Sequence, residues 1–164
     1  MTAAFLFPKV GNRAKKWFFV GEVFLGAPAQ FSGITALSLD AKGRMTIPAR
    51  HRDALVAQSK GALALVESDD GCLMLMAQSL WEQKTASFSE TDSDNERRRF
   101  WLGLSDTPEM DSQGRVLINP VLREGAGIQR DVVLLGVGQH FEIWDASTLD
   151  AHKQSVRQRK RGGA

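Results

Sequence analysis

A pattern of aspartate, glycine and arginine occurs twice in this chain, and apolar residues alternate on either side of each copy. The first copy runs from Asp40 to Arg44 and the second from Asp111 to Arg115, an offset of 71 residues. The same offset aligns three more pairs, which are Gly43 with Gly114, Ile47 with Ile118, and Arg52 with Arg123. One repetition at this spacing predicts duplication of a small module, because a solenoid needs several shorter repeats.

Each copy continues with the same order of predicted elements. A short apolar strand leads to Pro48 or Pro120, and proline suits the first helical turn because its missing N–H has no partner there. A short helix, a strand, a glycine-containing turn and a second strand follow, with the turns at 68–71 and 136–139. The class indicated is mixed, a β-rich α+β fold built from two similar halves.

A helix is predicted after each copy. Ser79–Glu82 reads as a capping box, and Asp145 or Ser147 is a candidate cap for the last helix. A polar, acidic connection follows the first of these helices, and Ser93–Glu96 reads as a capping box for a helix inside it. We divide the chain into an extension (1–22), repeat 1 (32–78), a helical connector (79–104), repeat 2 (105–148), and a helix end with a basic tail (149–164).

The repeated loop has a structural explanation that needs no ligand. An aspartate side chain can accept a hydrogen bond from the backbone two residues on, and glycine takes positive φ at no steric cost. We therefore assign the loop structure to four residues, which are Asp40, Gly43, Asp111 and Gly114.

The arginines of the loops are not required by a turn. Arg44 or Arg115 could pair with the aspartate four residues back, or present a planar guanidinium to guanine or phosphate. Lys42 lies at the first loop tip, where a cation can follow the DNA backbone. Arg50 and Arg52 either flank the same surface or lie on a solvated helix face. The candidate DNA-binding residues are Lys42, Arg44, Arg50, Arg52 and Arg115.

These motifs resemble the MraZ family of double SpoVT-AbrB-type proteins. The resemblance rests on Val23–Ala27, Leu39–Arg50 and Asp111–Arg115, and it extends from about residue 23 to about residue 153. It implies a pseudo-twofold swapped-hairpin, AbrB-like double-repeat barrel with flanking helices. The family's Asp-x-x-x-Arg motifs correspond to the two loops. Asn119 stands where the family usually has proline, so we expect a looser junction between strand and helix there.

The resemblance also implies a function. It indicates a cytoplasmic, nucleoid-associated transcription regulator that forms a ring-like homo-oligomer. Such proteins bind short direct repeats in double-stranded DNA upstream of the division and cell-wall gene cluster. The net charge of +2 is weak support for DNA binding, but a ring would present the same loop several times and add modest contacts. Aromatic residues outside the hairpins either bury against a neighbouring subunit or pack onto their own sheet, as for Trp81, Phe88, Phe100, Trp101 and Trp144.

Other classes of function are less well supported by the residues. An arginine beside each loop aspartate would keep that carboxylate ionised, unlike a general acid, and we predict no catalytic residue. Three histidines lack zinc-site spacing and Cys72 is the single cysteine, so we predict no metal, no cofactor and no internal disulfide. We also predict no membrane span and no small-molecule ligand. A protein-only interaction module stays open, with the acidic stretch Glu90–Glu96 as its candidate surface.

The extension at 1–22 has apolar runs that are too short to span a bilayer. Val23 occupies the place where family members have methionine, so we expect that residues 1–22 are not part of the functional protein. The competing interpretation is a basic arm that contacts DNA through Arg13, Lys15 and Lys16.

Overall fold

The structure, a computed structural model, describes residues 30–89, 91 and 95–162. Its first half contains β1 (Phe31–Ser38), β2 (Arg44–Thr46), α1 (Ala49–Ser59), β3 (Leu63–Glu67), β4 (Leu73–Ala77) and α2 (Gln78–Thr85). Its second half contains α3 (Asn95–Arg98), a π-helical turn (Arg99–Gly103), β5 (Ser105–Asp106), β6 (Arg115–Leu117), α4 (Pro120–Gly125), β7 (Asp131–Gly138), β8 (His140–Asp145) and α5 (Ala146–Gly162). Residues 1–22, which we expect not to be part of the functional protein, lie outside the described residues. The predicted cap residues Ser93 and Asp94 also lie outside them.

The strands form one six-stranded antiparallel sheet and one two-stranded ribbon. The sheet has the order β1-β7-β8-β4-β3-β5, and β2 pairs with β6. Both arrangements exchange strands between the repeats. β1 of repeat 1 pairs along its full length with β7 of repeat 2, from Phe31 opposite Gly138 to Ser38 opposite Asp131, and β5 of repeat 2 pairs with β3 of repeat 1. The prediction of a mixed fold of strands and helices is confirmed, with an antiparallel sheet.

One hydrophobic core is shared by the two repeats, and the ribbon covers it. Met45 lies opposite Val116 in the ribbon, and both side chains are fully buried. Ile47 and Ile118 continue the same inward face one step beyond the ribbon. These residues pack with sheet residues of both halves, such as Leu65, Leu75, Leu134, Phe141 and Ile143. Because each half contributes only part of this core, neither repeat buries its apolar face alone.

The last helix, α5, packs on the other face of the sheet. Successive strand residues point to opposite faces, so Val133 and Leu135 point away from the core that contains Val132 and Leu134. Val133 and Leu135 contact a second cluster, which consists of Cys72, Trp144 and Leu149. Trp144 is therefore buried by its own chain, which is the second of the two alternatives considered for that residue. Trp81 also bonds within the chain, since its indole N–H donates to the Trp101 carbonyl at 2.8 Å.

The caps of the helices differ in part from the sequence predictions. The Ser79–Glu82 capping box is wrong, because α2 already begins at Gln78 and the Ser79 hydroxyl donates to the Gln58 carbonyl. Asp145 does cap α5, since its carboxylate accepts the backbone N–H of Ser147 at 3.1 Å. Helix α4 begins at Pro120, as predicted.

The expected looseness at Asn119 is also wrong. Its side-chain oxygen accepts the backbone N–H of Val121 at 2.9 Å, and its amide donates to the Asp106 carboxylate at 3.3 Å. Asparagine is a favoured N-cap because this bond satisfies a donor that lacks an intrahelical partner. The junction is therefore tied down by a side chain that a proline would lack.

Candidate nucleic-acid interface

The outer face of the β2–β6 ribbon, called the ribbon face below, brings both loop arginines together. Arg44 lies opposite Leu117, and Thr46 lies opposite Arg115. These four residues share one face because Met45 and Val116 between them point into the core. Arg44 and Arg115 are diagonal neighbours, a relation that separates Cα atoms by roughly 7–8 Å. Two arginines that are 71 positions apart in sequence thus form one basic patch.

The two loops that flank the ribbon have the same hydrogen bonds. In the first loop the Asp40 carboxylate accepts the backbone N–H groups of Lys42 and Arg44, each at 2.9 Å. The Arg44 Nε–H also donates to this carboxylate at 2.8 Å. In the second loop Asp111 accepts from Gln113, the Arg115 backbone and Arg115 Nε at 2.9, 2.8 and 2.7 Å. Each aspartate therefore shapes its turn and orients the arginine that follows.

The loop carboxylates remain ionised at neutral pH. The backbone hydrogen bond from Arg44 is the main cause that lowers the pKa of Asp40, and desolvation partly opposes it. The corresponding bond from Arg115 lowers the pKa of Asp111 in the same way. A carboxylate held in this state orients a cation and is unsuited to general-acid chemistry.

The ion pair does not use the whole guanidinium of either loop arginine. Asp40 and Asp111 engage only the Nε–H of Arg44 and Arg115. Within the described ranges no hydrogen bond joins their terminal Nη groups to another residue. The two alternatives for these arginines, an internal ion pair and an outward-facing donor group, are therefore compatible. The aspartate fixes the orientation, and the terminal nitrogens stay available for acceptors on a ligand.

Arg52 and Arg123 reach across the ribbon to the loop of the other repeat. Arg52 donates from Nε to the Ile47 carbonyl at 2.7 Å, and a Cβ on Gly114 would lie only 2.2 Å from that Nε. Arg123 has the matching position, since its Nη1 lies 3.0 Å from where a Cβ on Gly43 would be. Gly43 and Gly114 are both buried, with φ of +79° and +78°. Glycine is required there for its backbone conformation and for the arginine against it.

The candidate DNA-binding residues thus occupy three kinds of position. Arg44 and Arg115 share the ribbon face, and Lys42 lies exposed at the first loop tip. Arg52 packs against Gly114, as described above. Arg50 lies outside the ribbon and contacts its own chain, since it donates to the His51 ring and to the Thr35 hydroxyl at 2.9 and 3.0 Å.

Three residues of this site were not identified from the sequence. Thr46 and Leu117 lie on the ribbon face, but their position depends on which strand pairs with β2. Arg123 acts as the partner of Gly43, and its alignment with Arg52 at the 71-residue offset was the signal that could have found it.

Two further features, a cluster of metal-binding side chains and a membrane-spanning helix, are absent from the part of the chain that the structure describes. No group of three or more His, Cys, Asp or Glu side chains there could hold a metal ion. None of the helices in the described ranges is long and apolar enough to cross a membrane.

Comparison with known proteins gives one consistent answer. The family model described as the MraZ protein matches residues 30–104 and again 102–159. A protein named transcriptional regulator MraZ from Acidovorax sp. (strain JS42) is 45% identical over 129 residues, which cover 78% of this chain and 91% of the relative. The corresponding proteins of Herminiimonas arsenicoxydans and Ralstonia pickettii (strain 12J) are 48% and 46% identical over 73% and 77% of this chain, and 84% and 89% of their own lengths. The chain belongs to the MraZ family.

Proposed function

We propose that this chain is a sequence-specific DNA-binding transcription regulator that reads the major groove with its ribbon face. The observation that carries the proposal is the pairing of Arg44 and Arg115 on one exposed two-stranded ribbon. A ribbon of two strands fits the major groove of B-DNA, and arginine is the most frequent specific partner of guanine there. The relatives named as transcriptional regulators support this function and none of those cited is named as an enzyme.

The charged residues of the ribbon and of its loops have different roles in this proposal. Arg44 and Arg115 contact base edges or phosphates through their terminal nitrogens, and Asp40 and Asp111 orient them. Lys42 contacts the backbone from the loop tip, whereas Gln113 at the matching tip carries no charge. Because Lys42 adds a positive charge beside Arg44 and Gln113 adds none beside Arg115, Arg44 contributes more to DNA binding than Arg115. Arg52 supports the second loop and does not contact bases.

The ribbon and the sheet are proposed to form the swapped-hairpin barrel of the double-repeat fold. The exchange of β1 and β5 between the halves supports this, because it joins the repeats at both edges of the six-stranded sheet. The two matches of one family model support the double repeat.

Beyond the single chain, we propose a ring-like homo-oligomer that binds direct repeats upstream of the division and cell-wall gene cluster. One ribbon presents two arginines, which is a small contact set, and several copies at fixed spacing would add their contacts through effective concentration. Such a regulator works on the chromosome, so we propose a cytoplasmic, nucleoid-associated protein. Light scattering at micromolar concentration should give a mass larger than a dimer, and a monomer mass would contradict the ring.

The direct test is an electrophoretic mobility assay with duplex DNA from upstream of this gene and a random duplex of equal length. Arg44→Ala should lower the preference for the upstream duplex by about 1–3 kcal/mol for each bidentate arginine–base pair that it removes, and Arg115→Ala should lower it less. Arg44→Lys keeps the charge but not the bidentate geometry, so it should fall between wild type and alanine.

Lys84→Ala removes one positive charge from α2, which packs against β3, β4 and α1, and serves as the control. Equal weakening of both duplexes by Arg44→Ala would assign Arg44 to phosphate contacts and overturn base reading by Arg44. Unchanged binding by Arg44→Ala, with circular dichroism intact, would overturn the ribbon face as the DNA site. Binding to neither duplex by the wild-type chain would favour the protein-only interaction module.

A further inference from the structure

Positive charge is unevenly distributed along this chain. Residues 30–150, which contain both repeats, carry 12 Lys and Arg against 18 Asp and Glu, a net charge of −6. Residues 151–162 carry five Lys and Arg and no acidic residue, a net charge of +5. The charges that attract DNA over a distance are therefore not supplied by the repeats that contain the ribbon face.

The basic residues lie on the exposed end of α5. The first part of the helix packs on the sheet through Leu149, His152 and Val156, and His152 stacks on Trp144 with ring centroids 4.8 Å apart. Every residue from 157 to 162 is exposed. This last part, called the basic end below, contains Arg157, Arg159, Lys160 and Arg161.

The charges of the basic end do not form one stripe. Residues in a helix are about 100° apart around the axis, so positions 157, 159, 160 and 161 point to several sides. A helix that docks on a protein surface carries an apolar stripe on one side, which the basic end lacks. Lys153 has an ion pair with Asp150 at 3.5 Å, and no ion pair within the described ranges involves the basic end. This arrangement suits a polyanion that can be approached from any side.

The basic end and the ribbon face lie on opposite sides of the sheet. The ribbon packs on the core face with Leu134 and Ile143, whereas α5 packs on the other face with Leu135 and Trp144. The helix begins directly after Asp145, which lies opposite Val132 near the strand end that leads into the first loop. Its residues from Leu149 to Arg157 line one pocket with Trp144, Leu135 and Glu142 of the sheet. It therefore runs away from that loop along β8. A straight duplex on the ribbon face would therefore lie across the sheet from the helix that carries the basic end.

We propose that the basic end is a second, sequence-independent DNA site, which binds the phosphate backbone of a duplex segment other than the one on the ribbon face. This inference rests on the proposed function, because it assumes that the ribbon face holds the first segment. The negative end of the helix dipole amounts to about −0.5 charge and disfavours an anion there, but the four cations exceed it several-fold. Binding at both sites lets one assembly hold two segments of DNA together.

The test compares the wild-type chain with a variant carrying Arg157→Gln, Arg159→Gln, Lys160→Gln and Arg161→Gln. Glutamine keeps a high helix propensity, and circular dichroism checks that α5 stays helical. Gln154→Ala with Gln158→Ala changes the same helix without changing its charge and is the control. The probes are a random duplex of about three helical turns, measured by fluorescence anisotropy over a range of KCl concentrations, and a bead-bound duplex that captures a second, labelled one.

Removal of four cations that neutralise phosphates should reduce the slope of log affinity against log salt by about 3 to 4. The four-glutamine variant should also fail to capture the second duplex, while its preference for upstream DNA over random DNA persists. An unchanged slope would overturn the basic end as a DNA site. A reduced slope with capture intact would overturn its assignment to a separate segment. If Arg44→Ala loses its preference for upstream DNA while the four-glutamine variant keeps an unchanged slope, only this inference is wrong. If Arg44→Ala keeps that preference while the four-glutamine variant has a reduced slope, only the ribbon proposal is wrong.

Discussion

Replacement of Gly114 by alanine tests the contact between the repeats. Gly114 has a left-handed backbone conformation and also contacts a side chain of the other repeat, and the effects of these two features can be measured separately. Its φ of +78° lies in the left-handed region, and a Cβ there would lie 2.2, 2.5 and 2.7 Å from Nε, Cζ and Cδ of Arg52. Gly71 has a similar φ of +83°, and a Cβ on that residue would have no atom within 4 Å. Gly71→Ala therefore measures the cost of the backbone conformation alone.

The expected magnitudes follow from these contacts. A left-handed conformation costs a residue with a Cβ about 1–2 kcal/mol, and this should be the whole effect of Gly71→Ala. In Gly114→Ala the guanidinium of Arg52 must also move, which breaks its hydrogen bond to the Ile47 carbonyl. A hydrogen bond from a charged group contributes about 1.5–3 kcal/mol, so the total should be about 2.5–5 kcal/mol. Gly43→Ala should lie between the two, because Arg123 Nη1 is 3.0 Å from the new Cβ.

The assay is urea unfolding at constant protein concentration, since assembly would couple stability to concentration. The decisive measurement is a double-mutant cycle. With Arg52→Ala already present, Gly114→Ala should cost no more than Gly71→Ala, because the obstructing side chain is gone. A Gly114→Ala effect that equals the Gly71→Ala effect, or that stays the same without Arg52, would refute the crossed contact.

Two further predictions concern ionisation. Hydrogen bonds to the charged form lower the pKa of Asp111 in the folded protein, so this carboxylate adds stability above its unfolded pKa of about 4, and that stability is lost as pH falls through the folded pKa. Asp111→Asn should thus be less stable than wild type at pH 7 and should lose less stability than wild type on acidification. Urea midpoints measured from neutral to acidic pH test this, and an equal loss of stability in both proteins would contradict it. Burial raises the pKa of the Cys72 thiol to about 12, so at mildly alkaline pH it should react with a disulfide reagent only as fast as the protein unfolds, and a rapid stoichiometric reaction of the native protein would contradict this.

The two loops could be predicted from the sequence because their interactions are local. The Asp40 carboxylate bonds to residues two and four positions on, and Gly43 supplies the positive φ within the same five residues. The alternation of apolar residues around each loop is local as well, and two of these residues, Met45 and Ile47, are fully buried. The cap at Asp145 and the helix start at Pro120 are local in the same sense.

The site itself depends on pairings that no local pattern contains. Arg44 and Arg115 form one patch only because β2 pairs with β6 of the other repeat, and a strand pattern does not say which strand will be its neighbour. The failed capping box at Ser79 has a related cause, since a carbonyl 21 residues away competes for that hydroxyl.

Tertiary packing also separated residues that looked equivalent in sequence. Arg50 and Arg52 lie two positions apart on α1, yet Arg50 contacts Thr35 of the sheet whereas Arg52 reaches Gly114 of the second loop. The basic tail could be recognised from composition, but its side of the sheet was decided by Leu149 packing on Trp144. Short-range hydrogen bonds and backbone preferences are determined by a few consecutive residues, whereas the partner that buries an apolar face is selected only when the whole chain is compact.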